Sequence, residues 1–390
     1  MTHRIAILPG DGIGPEVLAA ARRVLDATGF EADYIEADIG WNCWTTTGEA
    51  LPAATIDLLR GCNAALFGAI TSKPADQAEA ELPTHLRNTG LRYESPIVRL
   101  RREFDLYQAV RPCRTLPNAP GPAIDVVVFR ENTEGLYAGI EWRSLPPELA
   151  REMASPTHGH PDRMQRWIDA DPNDVALSTR FMSRRACERI AEAAFAHAAN
   201  TGRSRVTLLE KPNVLRATGG LMTESFRTVA KRYPAIEATE LNIDAACMRM
   251  VQHPETFDVI VAENMFGDIV SDLAAGLAGG LGLAPSANIG DSFAVFEPVH
   301  GSAPDIAGRA IANPCAAVLS AAMMLDWLSE HARAADIQNA VHAALAAGEI
   351  QTPDLHPHAR ATTQSATDAI IARLTTHAQP AEGLPSGAHV

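Results

Sequence analysis

Short apolar runs alternate with helical segments along most of this chain, and this alternation restricts the fold more than any other feature. Residues 64–70 and 125–130 are two such runs, and the second is almost continuously β-branched. Runs without polar alternation are typical of strands that are buried on both faces of a sheet. Helical patterns at residues 16–28 and 184–199 separate strands of this kind. The sequence therefore predicts an α/β protein with a mixed, largely parallel central sheet.

Length, charge and cysteine content narrow the class of protein. The 390 residues are enough for two domains. A formal net charge of −14 argues against the phosphate backbone of a nucleic acid or an anionic membrane as partner. The 6 cysteines are scattered without a close pair, which indicates neither a disulfide framework nor a zinc site. We therefore expect a cytoplasmic protein that binds small molecules and neither nucleic acid nor a membrane.

A glycine-rich turn at residues 9–15 follows the first strand. The G-x-G-x-x-G spacing of dinucleotide-binding turns fails here, because Pro15 occupies the place of the last glycine. We expect a tight strand-to-helix turn rather than a phosphate-binding turn.

Asp268 and Asp272 form the first candidate constellation. Four-residue spacing on a helix places both carboxylates on one face, where their like charges repel. A hard divalent cation such as Mg²⁺ or Mn²⁺ would offset this repulsion if both carboxylates bound it. A solvated helix face is the alternative, but the neighbours Ile269 and Val270 are apolar. The pattern favours a metal site.

Three arginines form the second constellation. Arg130 directly follows an apolar strand, where a guanidinium without an anionic partner would be costly. Arg101 and Arg111 lie in a basic segment upstream of it. Guanidinium groups bind carboxylates with two hydrogen bonds, so three of them around one pocket suit a di- or tricarboxylate substrate.

The segment 297–314 contains glycines, small residues and prolines, and is predicted to be a fixed loop. Asp305 is the carboxylate in this loop. A carboxylate held in a rigid loop accepts both hydroxyls of a ribose and repels a 2′-phosphate. The loop therefore predicts NAD, and not NADP, as the cofactor.

Tyr137 and Lys211 are the acid–base candidates. Each would more often be structural if composition alone were considered. Lys211 follows the apolar strand at residues 205–209, where cationic neighbours would lower its pKa into a useful range.

These motifs, in this order, resemble the metal-dependent decarboxylating dehydrogenases, the family of isocitrate and 3-isopropylmalate dehydrogenases. The resemblance covers residues 5–371 and implies a homodimer with shared active sites. It also implies an isopropylmalate dehydrogenase-like two-domain fold, which is not a Rossmann fold. The expected parts are a larger cofactor-binding domain at 1–105 and 255–375, a smaller substrate and dimerisation domain at 106–254 with an arm at 145–173, and a flexible tail at 377–390.

The resemblance also implies roles for the residues of the site. Asp268 and Asp272 would bind the metal together with Asp244, which reaches across from the partner subunit. Lys211, also from the partner subunit, would help to deprotonate the substrate hydroxyl, and Tyr137 would protonate the carbon that loses CO₂. Arg101, Arg111 and Arg130 would hold the carboxylates of the malate backbone. The implied cofactor contacts are Thr71, Glu297, His300, Gly301, Ser302, Ala303, Asp305, Ile306 and Asn313.

The substrate is indicated by the segment just before Arg101. The resemblance places four residues there at the substrate site. Glu94 would contact the cofactor's ribose, Ile97 and Val98 would touch the isopropyl group, and Ser95 matches a serine that meets the extra carboxylate in isocitrate dehydrogenases. An isoleucine cannot hydrogen-bond a substrate carboxylate, and a half-satisfied carboxylate costs about 1–3 kcal/mol. We therefore expect an apolar substituent at carbon 3, and 3-isopropylmalate is the preferred substrate.

Several alternatives stay open from the sequence. Arg99 could bind an anionic substituent, as in homoisocitrate or a phosphonate analogue of malate. Isocitrate, tartrate and D-malate are further candidates. A regulatory subunit of an isocitrate dehydrogenase is the non-enzymatic alternative, although such subunits usually lack some metal ligands or the lysine.

Overall fold

The computed structural model describes residues 2–155, 165, 169–356 and 358–374. The predicted arm at 145–173 is described only in part, and the predicted tail at 377–390 lies outside the described residues. In the described part of the arm, residues Pro147–Met153 form a short helix. No helix within these ranges is long and apolar enough to cross a bilayer.

Ten strands of the described chain form one mixed sheet in the order β2-β1-β3-β12-β11-β4-β5-β10-β8-β9, and β6 and β7 form a separate pair. The strands are β1 His3–Gly10, β2 Ala32–Glu36, β3 Ala64–Ala69, β4 Gln108–Arg114, β5 Asp125–Glu131, β6 Glu141–Trp142, β7 Leu177–Ser178, β8 Arg205–Glu210, β9 Glu237–Asn242, β10 Val259–Ala262, β11 Pro285–Ile289 and β12 Ala294–Pro298. β11 and β12 are antiparallel, whereas β1 pairs in parallel with β2 and β3, and β10 with β5 and β8.

Helices follow most strands. Their bounds are Gly14–Ala27, Trp41–Thr47, Ala53–Leu59, Ala75–Ala80, Pro96–Glu103, Pro147–Met153, Arg184–Thr201, Thr218–Ala230, Ile243–Gln252, Asn264–Leu277, Cys315–Trp327, His331–Ala346 and Thr363–Ile371. The α/β class with a mixed, mostly parallel sheet is therefore confirmed. The apolar run at 64–70 forms β3, which is buried along its whole length, as expected for a strand covered on both faces.

The described chain divides into two compact units. Unit 1 comprises the described residues of Met1–Leu106, Val110–Asp125 and Asp272–Val390, and unit 2 comprises Tyr107–Ala109 and Val126–Ser271. The bounds of these units differ from the expected domain bounds at Leu106 and at residues 110–125 and 255–271. Residues 255–271 contain β10, which pairs in parallel with β5 and β8 and so joins unit 2. The assignment of cofactor and substrate binding to separate domains stays a prediction.

The core of unit 1 packs against the sheet around β1 and β3. Leu8, Phe67 and Leu100 are buried in one apolar cluster there. The turn after β1 is tight: a Cβ on Gly14 would lie 2.2 Å from the Pro9 carbonyl oxygen. Only glycine permits this approach of the first helix to the strand, so this segment is the tight strand-to-helix turn that the sequence predicts.

Unit 2 has its own core between its strands and two helices. Phe195, on the helix Arg184–Thr201, packs against Phe226, on the helix Thr218–Ala230, with ring centroids 5.3 Å apart. Both aromatic side chains are almost fully buried. The first of these helices begins with Ser183, whose side chain accepts a hydrogen bond from the backbone N–H of Ala186, a standard N-terminal cap.

Candidate active site

The carboxyl ends of four parallel strands meet at one edge of unit 2. Ala262 of β10 stands beside Arg130 of β5 and beside Leu209 of β8. Glu210, at the end of β8, stands beside Asn242 of β9. Ligands of open α/β sheets bind at this edge, because the side chains that follow parallel strands converge there. The predicted residues Arg130, Lys211, Asp244 and Asp268 all lie at or just beyond these strand ends.

Arg130 is fixed by the helix Asn264–Leu277, which starts beside it. Its side chain is 2% exposed, and its Nη2 and Nε donate to the Asn264 Oδ1 over 2.7 and 3.0 Å. Its Nη1 donates to Asp268 Oδ1. Gly267 permits this contact, since a Cβ there would lie 2.6 Å from the Arg130 Cβ. The buried guanidinium thus has the anionic partner that the sequence required.

Tyr137 lies beside the same pair. Its hydroxyl donates to Asp268 Oδ2 over 3.3 Å, and the Arg130 Cζ lies 5.5 Å from its ring centroid. The pKa of Tyr137 is raised, first by burial and then by the negative charge of Asp268. The phenol is therefore protonated near neutral pH and is suited to donating a proton, while its side chain remains accessible from solvent.

Lys211 and Asp244 form an ion pair in which the Lys211 Nζ donates to Asp244 Oδ1. The hydrogen bond from Lys211 is the main reason that the pKa of Asp244 is lowered. The Asp244 side chain is 68% exposed, whereas that of Lys211 is 23% exposed. An exposed carboxylate beside a half-buried ammonium group is open to further ligands.

Two more of the predicted arginines lie in unit 1. Arg111 donates from Nη1 to Asp272 Oδ1 over 3.0 Å. Arg101 donates from Nε to the Asn288 Oδ1 over 3.0 Å, and its Nη2 lies 3.7 Å from the Glu297 Oε1. Both arginines are buried. Asn288, which sequence reasoning missed, is fully buried and links Arg101 to Glu297 through a second hydrogen bond of 2.6 Å.

The predicted metal ligands can be tested against the requirements of a hard divalent cation. Among the described residues no three His, Cys, Asp or Glu side chains are grouped so as to hold a metal ion. Asp268 and Asp272 lie one turn apart on one helix, and their side chains are 31% and 55% exposed. Asp244 lies near the start of a different helix, Ile243–Gln252. Two accessible carboxylates on one helix face suit Mg²⁺ or Mn²⁺, and a third ligand would have to come from elsewhere.

The loop after β12 lines a cavity of about 330 Å³ in unit 1. Four of the predicted cofactor contacts line it, namely His300, Ala303, Ile306 and Asn313. Asp354 also lines it and accepts a hydrogen bond from the Asn313 side chain over 3.0 Å; sequence reasoning missed this residue. A mostly apolar cavity with a few convergent polar groups suits a heterocyclic ligand of nucleoside size.

His300 carries the polar atom that best indicates the kind of ligand. Its Nδ1 lies 3.0 Å from the carbonyl oxygen of Gly301, so this nitrogen carries the proton. Its Nε2 is buried and has no hydrogen-bond partner among the described residues. Burial lowers the pKa of His300, so the ring is neutral and its Nε2 is an acceptor. An acceptor held in an apolar cavity fits the exocyclic amino group of adenine.

The loop is anchored to the two turns beside it. The Thr71 and Ser302 hydroxyls hydrogen-bond over 2.7 Å, and the backbone N–H of Ile13 donates to the Ser302 carbonyl over 2.9 Å. Asp11, in the glycine-rich turn, accepts from the backbone N–H groups of Trp41 and Thr71. Asp11 thus holds the surrounding loops together. Asp305 and Gly301 are exposed on the same loop, outside the lining of the cavity.

The segment that was expected to select the substrate forms the start of the helix Pro96–Glu103. Ile97 is buried in the unit 1 core and Val98 packs against it. Glu94 pairs with Arg102. The Arg99 Nη1 donates to the Leu51 carbonyl oxygen over 3.1 Å. Ser95 occupies the N-cap position without a side-chain capping bond.

Comparison with known proteins adds a second line of argument. A family model described as isocitrate/isopropylmalate dehydrogenase matches residues 4–370. The isocitrate/homoisocitrate dehydrogenase of Thermus thermophilus is 44% identical over 96% of this chain and 99% of its own length. The 3-isopropylmalate dehydrogenase of Methanothermobacter thermautotrophicus is 42% identical over 90% of this chain and 93% of its own length. A crystal structure of isocitrate dehydrogenase from Methylococcus capsulatus aligns with a TM-score of 0.82 at 38% identity, covering 95% of this chain and 99% of the other.

Proposed function

Because this chain belongs to the isocitrate/isopropylmalate dehydrogenase family, we propose that it catalyses the NAD-dependent oxidative decarboxylation of a 3-substituted malate, with 3-isopropylmalate as the preferred substrate. Members of the family are decarboxylating dehydrogenases, and they generally use NAD or NADP and a divalent metal. The observation that carries the proposal is that two buried arginines each pair with one accessible carboxylate of a single helix, Arg130 with Asp268 and Arg111 with Asp272.

In this proposal, Arg101, Arg111 and Arg130 bind the substrate carboxylates. Each guanidinium is buried and already oriented by a fixed acceptor, so little side-chain entropy is lost when a carboxylate binds. The acceptor of Arg101 is Asn288, and the acceptors of Arg130 are Asn264 and Asp268. Bidentate binding at such sites would hold the malate backbone in one orientation.

Lys211 and Tyr137 move the protons. The Lys211 ammonium group is partly accessible, with 23% of its side chain exposed, and is paired with Asp244. Like Asp244, it would serve the site of a second copy, where it assists removal of the proton from the substrate hydroxyl. Tyr137, whose raised pKa keeps it protonated, returns a proton to the carbon from which CO₂ departs.

The proposed metal and cofactor sites consist of the candidate residues described above. Asp268 and Asp272, together with Asp244 of a second copy, would hold a divalent cation, which when bound supplies a Lewis acid that polarises the substrate oxygen. The cavity beside His300 would hold the adenosine part of NAD. When bound, NAD would supply the hydride acceptor. The residues that line this cavity in the described chain include the acid Asp354 and no lysine or arginine. This charge pattern, with Asp305 on the same loop, disfavours a 2′-phosphate.

An apolar 3-substituent is supported by the local partners of Arg99, which follows that segment directly. Arg99 is held by the Leu51 carbonyl oxygen and lies 3.8 Å from Glu103, so its charge has local partners. Ile97 is buried in the unit 1 core and Val98 packs against that core, so an apolar substituent at this segment would contact the partly buried Val98. Homoisocitrate, isocitrate and a phosphonate-bearing malate would each place an unpaired anion there. Tartrate and D-malate would leave the apolar contact empty.

A homodimer with shared active sites is supported by the helix Ile243–Gln252. Asp244, Met248 and Val251 follow one another at four- and three-residue spacing, so they share one face of this helix. Met248 and Val251 are 59% and 57% exposed, which is unusual for large apolar side chains. A second copy covering this face would bring Asp244 to the interface. A cytoplasmic location remains part of the proposal and is supported by the 6 free cysteines.

A substrate panel tests the proposed function. The purified protein is supplied with NAD and Mg²⁺ or Mn²⁺, and kcat/KM is measured for 3-isopropylmalate, homoisocitrate, isocitrate, D-malate, tartrate and a phosphonate analogue. We expect the highest value for 3-isopropylmalate. A higher value for an anionic substituent would overturn the substrate assignment, and no turnover with any malate would favour the regulatory-subunit alternative.

A further inference from the structure

A buried ionic cluster in unit 2 has so far no role in the proposed reaction. Arg180, Glu210 and Glu263 have side chains that are 8%, 2% and 2% exposed. The Arg180 Nη2 donates to Glu210 Oε2 over 2.7 Å, and the Arg180 Nε lies 3.6 Å from Glu263 Oε2. Nη1 of the same guanidinium donates to the Thr218 hydroxyl over 3.0 Å. A buried cluster of this kind is weak evidence for stability, so its placement calls for another explanation.

Each glutamate of the cluster also holds a backbone N–H of the candidate active site. Glu210 Oε1 accepts from the backbone N–H of Lys211 over 2.8 Å. Glu263 Oε1 accepts from the backbone N–H of Phe266 over 2.8 Å, in the first turn of the helix that carries Asp268. Arg180 therefore links the segment of the proposed base to the start of the helix that carries a proposed metal ligand.

The space around the cluster is closed to larger groups. A Cβ on Gly135 would lie 2.7 Å from Glu263 Oε2, and a Cβ on Gly219 would lie 3.2 Å from the Glu210 carboxyl carbon. The guanidinium carbon of Arg180 also lies 5.2 Å from the Phe266 ring centroid. The carboxylates thus lie directly against glycine backbone, and a side chain at either glycine would displace them.

The charges of the cluster are unequal. One guanidinium faces two carboxylates, and burial raises the pKa of Glu263 although the positive charge of Arg180 opposes this. Removing the guanidinium would leave two buried carboxylates without a positive charge beside them. Hydration or protonation of each carboxylate would then be favoured. The backbone N–H groups that they hold would then lose their fixed acceptors.

We propose that Arg180, Glu210 and Glu263 are positioning residues that hold Lys211 and the first turn of the Asp268 helix in the geometry that the reaction needs. The proposal rests on the proposed function for the identity of that reaction. None of the three side chains is proposed to touch the substrate. They act through the backbone of Lys211 and of Phe266.

Arg180→Met tests this role by kinetics. We expect kcat for the preferred malate to fall about 100-fold, since a small misplacement of a catalytic group has this effect. KM should change less than about threefold, because the substrate-binding arginines are unaltered. Arg180→Lys keeps the charge and should restore part of kcat.

The matched control is Arg203→Met, which removes a partly buried ion pair of 2.6 Å with Asp258 in the same unit. This variant should lose a similar amount of thermal stability and keep kcat within about twofold of the wild type. A folded Arg180→Met protein with near-normal kcat would overturn the proposal. Equal loss of kcat in both variants would overturn it too, because the effect would then be one of general stability.

Amide hydrogen exchange supplies a readout that needs no substrate. Peptides covering residues 208–214 and 263–269 should exchange faster in Arg180→Met, or in Arg180→Lys if the first variant does not fold, and should be unchanged in Arg203→Met. If the wild type turns over no malate, the proposed function fails while this measurement still decides the positioning role. Unchanged exchange in both peptides would contradict that role.

Discussion

At the scale of single residues, the site consists of charged groups that are paired before any ligand arrives. Asp268 accepts hydrogen bonds from both Arg130 and Tyr137, and Asp272 accepts one from Arg111. This pairing offsets the free-energy cost of burying the charged guanidinium groups. In the proposed enzyme, a cation would bind to the aspartates and a substrate carboxylate to the arginines, and their charges would offset each other.

Asp268→Asn tests the metal assignment. The amide keeps the size of the side chain and can still accept from Arg130, so the fold should persist. The lost negative charge should lower kcat/KM about a thousandfold, which corresponds to several kcal/mol of transition-state stabilisation. Steady-state assays over a Mg²⁺ titration, with the exposed Asp57→Asn as the control, measure this. Near-normal turnover at ordinary Mg²⁺ concentration would remove Asp268 from the metal site.

His197 should make the stability of the protein depend on pH. Its Nε2 is buried without a hydrogen-bond partner among the described residues, and its ring lies 5.1 Å from that of Phe129. Burial, and then the positive charge of Arg203, lower the pKa of His197 below its ordinary value of about 6.5. The unfolded chain therefore binds the proton more readily than the folded one. Stability from this group is present above about pH 6.5 and is lost as the pH falls toward the folded pKa.

His197→Phe should reduce that loss. We expect the difference in Tm between pH values of about 7.5 and about 5.5 to be smaller in this variant than in the wild type, while His342→Gln, at an exposed position, should leave the difference unchanged. Differential scanning calorimetry at the two pH values provides the comparison. Equal pH dependence in the wild type and in His197→Phe would show that other groups control acid stability.

At the scale of elements, many candidate site residues lie in loops or near helix starts. Several of these segments follow parallel strands that end at one edge of the sheet. The loop after β12 is held by Ser302, which bonds to Thr71 and to the turn after β1. This explains why a segment without regular structure can form one wall of a cavity. The glycine-rich turn serves the same purpose: its Asp11 accepts from backbone N–H groups, so the turn is a scaffold for its neighbours.

Asp305→Ser tests the role of this loop in cofactor choice. Removing the negative charge should lessen repulsion of a 2′-phosphate, and a change of about 1.4 kcal/mol would shift the ratio of kcat/KM for NAD and NADP about tenfold toward NADP. The same ratio is measured for Asp291→Ser, which removes an exposed carboxylate from the turn between β11 and β12. An unchanged ratio in Asp305→Ser would argue against a contact between this loop and the ribose.

At the scale of the whole molecule, the proposed enzyme depends on a second copy. Asp244 is largely exposed, and it shares its helix face with exposed Met248 and Val251. Large apolar side chains exposed in a row are characteristic of association surfaces. A dimer built on this face would explain why the described residues of one chain do not by themselves assemble three metal ligands.

Met248→Glu tests this association. A charge on the apolar face should reduce the mass measured by light scattering after size-exclusion chromatography from twice 41.7 kDa to 41.7 kDa at about micromolar concentration. Activity should fall with the dimer. Thr228→Glu, on an exposed face of another helix, should keep both the dimer and the activity. A Met248→Glu protein that remains dimeric would place the interface elsewhere.

The sequence by itself determined the α/β class, the mixed sheet and the types of residue in the site, because strand burial and helical periodicity are local patterns. Only the tertiary structure decided which groups pair, since the partners are distant in sequence: Arg130 and Asn264 are separated by 134 residues and Arg101 and Asn288 by 187. Asn288 and the cluster of Arg180, Glu210 and Glu263 show no local pattern. Their roles follow from parallel strands ending side by side, which brings distant segments within hydrogen-bond distance.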